Sequence, residues 1–146
     1  MKRQSKAERR AAVFERVREA NRTEIAEDYV ELIDDLIAET GEARLTEVAQ
    51  HMGVSHPTAA KIIQRLQRDG LVQTRPYRSI FLTEEGHQVA EESRRKHQIV
   101  LDFLLAIGVS ERTAEVDSEG MEHHCSAETL ATFARLTDEI GKKQGR

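Results

Sequence analysis

The stretch Leu45-Thr46-Glu47-Val48-Ala49-Gln50-His51-Met52-Gly53-Val54-Ser55-His56-Pro57-Thr58 decides the fold. Leu45, Val48, Ala49 and Met52 recur at three and four residues, the stripe of a short amphipathic helix. Gly53 supplies the backbone freedom for a tight turn. Ser55 is placed to cap a second helix, with Pro57 in its first turn, where a missing N–H costs nothing. Ala60, Ile63 and Leu66 carry that helix on towards Gly70. A short helix, a glycine turn and a capped second helix make a helix-turn-helix. Directly after it, residues 71–75 and 79–82 read as two short strands around Pro76-Tyr77-Arg78. Such a hairpin with a basic, aromatic tip is the wing of a winged helix.

Upstream, the spacing of Ile25, Tyr29, Val30, Ile33, Leu36 and Ile37 predicts a helix from about Thr23 to Thr40, stopped by Gly41. Residues 1–22 are basic and fit either a helix or a flexible arm. Downstream, Thr83 caps a long helix from Glu84 to about Ile107. Ser110 then caps a short helix, Asp117 or Ser118 begins a third, and Ser126 caps the last, which runs to about Ile140. The expected fold is mainly α: a winged helix-turn-helix DNA-binding domain at 23–83 and an all-helical domain at 84–141. A basic arm (1–22) and a short tail (142–146) flank them.

The net charge of −4 hides a strong segregation. Residues 1–22 hold eight Lys/Arg against three Glu, and residues 43–83 hold six against two acids. Residues 23–42 carry eight acids and no base, and residues 84–141 carry thirteen acids against five bases. A locally basic module attracts polyanions even within an acidic chain. The 146 residues suffice for a packed core but not for a large enzyme. Apolar runs such as Ile99–Ile107 fall far short of the ~20 residues of a membrane span. The basic N-terminus has no apolar stretch behind it, so no signal peptide is expected. The single cysteine, Cys125, rules out an internal disulfide and suits a reducing, cytoplasmic compartment, with a packing role for the thiol.

A recognition helix presents polar side chains from its first turns to base edges, with positive charge nearby for phosphates. Ser55, His56, Pro57 and Thr58 form that leading edge, and Lys61 and Arg65 follow at about one-turn spacing. Arg75, Tyr77 and Arg78 at the wing suit backbone or minor-groove contact. A second constellation lies in Glu119-Gly120-Met121-Glu122-His123. On a helix, Glu119, Glu122 and His123 share one face at i, i+3 and i+4. Asp28 and Glu31 are again i and i+3, and His97 precedes an apolar run. Four carboxylates and two imidazoles with no thiolate favour Mn(II) or Fe(II) over soft-metal sites.

Taken together, these residues resemble the diphtheria toxin repressor family, and within it the manganese-responsive branch. The resemblance spans residues 22–141 and rests on Glu27-Asp28-Tyr29-Val30-Glu31, Gly53 to Thr58, Arg95 to Gln98 and Glu119 to His124. It implies a Mn(II)-dependent repressor that binds double-stranded operator DNA as a homodimer and controls manganese homeostasis genes. It also implies a pair of Mn(II) ions per subunit held by Asp28, Glu31, His97, Glu119, Glu122 and His123. Iron-responsive relatives carry Met where this chain has Asp28 and Cys where it has Glu119; both differences favour a harder ion. Such relatives often add an SH3-like domain, for which this chain is too short. Leu130, Phe133, Leu136 and part of Phe103–Ile107 are the expected dimer contacts. An Fe(II)-responsive repressor, a small metallohydrolase on the Glu119 helix and a metal-free winged-helix scaffold are the competing readings.

Overall fold

The computed structural model describes residues 2–76 and 79–145. Six helices and three strands follow in order: α1 Lys6–Thr40, β1 Ala43–Arg44, α2 Leu45–Met52, α3 His56–Arg68, β2 Val72–Arg75, β3 Ser79–Leu82, α4 Glu84–Ala106, α5 Glu111–Met121 and α6 Ala127–Lys143. The chain divides into two compact units, Ala26–Arg95 on one side and, on the other, the segments up to Ile25 and from Lys96 onward.

In the first unit the helix-turn-helix forms as its local chemistry dictates. Gly53 ends α2 in the left-handed region (φ 67°), and its N–H reaches the Ala49 and Gln50 carbonyls. Ser55 Oγ accepts from the Thr58 N–H at 3.2 Å, and Pro57 sits in the first turn of α3. The strands pair antiparallel in the order β1-β3-β2, with Thr74 opposite Ile80 and Arg75 opposite Ser79. Strand β1, two residues pairing Ala43 with Ile80, was not expected. So short a segment has no periodicity to read, and tertiary pairing alone defines it.

The core of this unit joins Tyr29, Val30, Ile33 and Leu36 of α1 to Val48, Ile63, Leu66, Val72, Ile80 and Ala90. The α1 residues belong to the stripe read from the sequence, and each aliphatic member contributes about 1.5–3 kcal/mol by burial. Thr83 locks the start of α4: its hydroxyl donates to the Gly70 carbonyl (2.6 Å) and accepts from the Gly86 N–H (3.0 Å). That brings α4 so close to the β2 strand's lead-in that a Cβ on Gly86 would lie 2.1 Å from the Leu71 carbonyl oxygen.

The second unit packs Val100 and Leu104 of α4 against Ala114 of α5 and Leu130 of α6. Phe103 and Phe133 stack with ring centroids 4.0 Å apart and planes 8° from parallel. Two expectations change here. Residues 111–121 form one helix rather than two, since neither Gly nor Pro interrupts them before Gly120, and Ser118 is buried with its hydroxyl donating to the Glu115 carbonyl. Helix α1 begins at Lys6, well before Thr23, because Ala7 to Ala20 contains no helix breaker. Among the described residues no helix is long and apolar enough to cross a membrane.

Gly86→Ala is expected to cost about 2 kcal/mol or more, since the added methyl meets backbone rather than a movable side chain. A urea-denaturation midpoint equal to wild type would show that this approach is not tight.

Candidate metal centre and DNA-reading surface

Helices α4 and α5 bring three of the expected ligands together. One donor atom from each of His97, Glu119 and Glu122 lies within 4.8 Å of the others. His97 Nδ1 is 2.8 Å from Glu122 Oε2 and 3.7 Å from Glu119 Oε1. His123 Nε2 stands 3.1 Å from the other Glu122 oxygen. Regular helix ends at Met121, but Glu122 keeps helical torsions (φ −55°, ψ −37°) and its N–H still reaches the Ser118 carbonyl. The i, i+3 relation between Glu119 and Glu122 therefore persists through the final turn.

Burial sets the electrostatics. Glu122 is 0% exposed and His123 5%, whereas Glu119 is open to solvent. Neither Glu122 oxygen accepts a well-formed hydrogen bond among the described residues. Imidazole nitrogens stand at contact distance from both oxygens, yet the geometry is not that of a satisfied pair. An ionised carboxylate buried this way is costly unless a cation compensates it. The donor set, carboxylate oxygens with imidazole nitrogens and no thiolate, is what a hard first-row divalent ion such as Mn(II) accepts, so these residues fit such an ion.

Asp28 and Glu31 lie in the other compact unit, three residues apart on α1 and both half-buried. Glu31 Oε2 accepts from Ser93 Oγ of α4 at 3.1 Å. Next to Ser93, Arg94 bridges Asp34 Oδ2 at 2.7 Å and Asp35 Oδ1 at 2.8 Å. Partial burial pulls the Arg94 pKa down, but the hydrogen bonds to the two aspartates outweigh it and the net shift is upward. Neither Ser93 nor Arg94 was singled out from the sequence; a partner some sixty positions away leaves no local pattern. His124 places Nε2 3.2 Å from Glu24 Oε2. Cys125 packs beside the second core, where burial raises its pKa against the lowering effect of Lys96. A shielded thiol of that kind suits packing better than reactivity.

On the first unit, Ser55, His56, Pro57, Thr58 and Lys61 are all exposed along the start of α3, and Arg65 is half-buried. Ser55 Oγ also pairs with Thr58 Oγ1 at 2.9 Å, which fixes the Thr58 side chain. Arg75 lies over the Phe81 ring at 4.4 Å, a cation–π contact that orients the base of the wing. Tyr77 and Arg78 lie outside the described residues. A groove of about 480 Å³ between α3 and β2 is lined by Gln64, Gln67, Thr74 and Arg75 among others. Gln64 is three residues beyond Lys61 on the exposed side of α3 and was missed; an uncharged side chain carries no electrostatic signal.

A winged helix-turn-helix, followed in the chain by a helical unit with a buried carboxylate–imidazole cluster, defines a metal-responsive DNA-binding regulator. The iron dependent repressor N-terminal DNA-binding domain matches residues 22–80, and its metal binding and dimerisation domain matches residues 83–143. The chain is 54% identical to the transcriptional regulator MntR of Escherichia coli O6:H1 over 130 residues, 89% of this chain and 84% of the relative. It is equally similar (54% over 128 residues, 88% and 82%) to the transcriptional regulator MntR of Salmonella typhimurium. Among solved structures, a manganese-dependent transcriptional repressor in complex with manganese superposes with a TM-score of 0.65 at 26% identity. That match covers 77% of this chain, which spans about half (52%) of the solved chain. The chain belongs to the iron-dependent, or diphtheria toxin, repressor family, and is a transcriptional regulator rather than an enzyme.

Lys61→Ala is expected to weaken DNA binding at every sequence and to reduce the slope of log K against log salt by about one unit. An unchanged slope would take Lys61 out of the phosphate contacts.

Proposed function

We propose that this chain is a cytoplasmic, Mn(II)-dependent repressor that binds operator DNA as a homodimer and controls manganese homeostasis genes. The observation that carries the reading is Glu122, a fully buried carboxylate facing imidazoles on two sides without a well-formed hydrogen bond. His97, Glu119, Glu122 and His123 supply one part of the ligand set, and Asp28 and Glu31 of α1 complete it. Six such ligands suffice for a pair of ions per subunit. A bound Mn(II) pair supplies the positive charge that lets four carboxylates and two imidazoles converge. The ligand-bearing helices, once joined, restrict the DNA-reading domain relative to the dimer core and hold two recognition helices at half-site spacing. The shift towards that arrangement equals the difference in metal affinity between the competent and free forms.

Ser55, His56, Pro57, Thr58, Lys61, Arg65, Arg75, Tyr77 and Arg78 then act as the DNA contacts: the polar edge of α3 for bases, the cations for phosphates. Of the expected dimer contacts, Leu130 is buried in the unit's own core and Phe133 stacks on Phe103. Leu105 and Ile107, within the expected Phe103–Ile107 stretch, are exposed, and exposed Val116 adds to them. Iron is the competing ion, since both metals suit oxygen and imidazole donors; the likeness to a solved manganese-dependent transcriptional repressor favours manganese.

Glu122→Ala is expected to abolish Mn(II)-dependent operator binding while the dimer stays folded, and Mn(II) is expected to outperform Fe(II) under anaerobic conditions. Metal affinity is expected to fall in mild acid, because the ligands must be deprotonated to bind a metal ion. Mn-dependent binding retained by the Glu122→Ala protein would overturn the assignment.

A further inference from the structure

Every residue from Lys2 to Glu19 is exposed, although α1 is helical from Lys6. A helical segment of this length gains little stability on its own in water and usually relies on an amphipathic face packed against something. This one carries such a face. Phe14, Val17 and Ile25 stand at i, i+3 and i+11, with Val13 beside them, and all four are exposed, Phe14 by 57% and Val17 by 44%. Exposed apolar side chains gathered in a stripe mark an interaction surface.

Three observations identify what covers it. The segment precedes the residues matched by the DNA-binding domain, yet it belongs to the same compact unit as α5, α6 and the second half of α4, within the matched dimerisation domain. The helix lies beside that domain's exposed apolar surface: Glu24, next to Ile25, shares a groove with Val116, Met121 and His124, and Val116 is 69% exposed. The charges are complementary on balance, since Lys6, Arg9, Arg10, Arg16 and Arg18 outnumber Glu8, Glu15 and Glu19 around the stripe, while exposed Glu111, Glu115 and Asp117 outnumber Arg112 around Val116.

We propose that the N-terminal extension of α1 is part of the dimer interface: its Phe14–Val17–Ile25 stripe packs on the α5 surface around Val116 of the partner subunit, and its basic flanks pair with the acids there. Two-fold symmetry makes the contact reciprocal, so each copy both offers and receives a helix. The proposal rests on the homodimer reading and adds to it a helical segment, up to Val17, that precedes the two matched domains. A second copy of this chain, rather than DNA, is the extension's partner.

The test is sedimentation equilibrium of the full chain, wild type against Phe14→Gln/Val17→Gln, with and without Mn(II). Both positions are exposed and glutamine is a good helix former, so far-ultraviolet circular dichroism should not change. The dimer dissociation constant is expected to rise at least about tenfold. For a dimer too tight to dissociate, the subunit-exchange rate measured with labelled copies is expected to rise by a similar factor. A wild-type dimer left unmoved by the double substitution overturns the proposal alone. So does a variant with unchanged dimerisation and weakened operator binding, which would assign the extension to DNA. A wild-type chain that sediments as a monomer throughout overturns the homodimer reading, and the proposal with it.

Discussion

A carboxylate removed from water must be compensated, and the helical unit is arranged around that demand. Glu122 is fully buried at the end of α5, with His97 at 2.8 Å on one side and His123 at 3.1 Å on the other. Holding it there requires α5 to stay helical through its final turn and α4 to pass near enough to deliver His97. Small residues on the inner face of α5, Ala114 and Ser118, are completely buried and permit that approach. The Phe103–Phe133 stack and Leu130 secure the opposite side, so the core fixes the imidazole and carboxylate relative to each other. Without a cation the cluster is an unfavourable arrangement; with one it is half of a coordination shell.

Helix α4 does two jobs one turn apart. Ser93 holds Glu31 and Arg94 ties Asp34 and Asp35, whereas His97, four residues after Ser93, faces Glu119 and Glu122. Consecutive turns of one helix thus engage two acidic groups that are distant in sequence. The charge segregation fits this division in part: acids concentrate on the helices that carry the candidate ligands, and the bases of residues 43–83 on the DNA-reading domain. On the DNA-reading unit, local capping does most of the positioning. Ser55, Pro57 and Gly53 set the start of α3, and Thr83 sets the start of α4 against Gly70.

The helix-turn-helix, the wing strands and the stripe on α1 were legible because each is a local pattern: a cap, a glycine turn, or a period of two or 3.6. The Glu119–Glu122 pair was legible for the same reason, as i, i+3 spacing on one helix turns into adjacency; His123 lies in the turn after α5, past the helix that was expected to carry it. What the sequence left hidden depends on long-range packing. β1 is too short to have a period. Ser93 and Arg94 find partners some sixty residues away. Leu130 and Phe133 also pack inside their own unit, and an apolar stripe does not announce whether its cover is internal, external or both. The extent of α1 was open for a related reason: its first turns carry charge on nearly every side, and charge alone does not separate a helix from a flexible arm.

The most direct measurement is anomalous diffraction at the manganese edge from crystals grown with Mn(II). The account requires anomalous density bonded to Glu122, with His97, Glu119 and His123 around it and Asp28 and Glu31 completing the shell. Density elsewhere, or none among these six side chains, would contradict it.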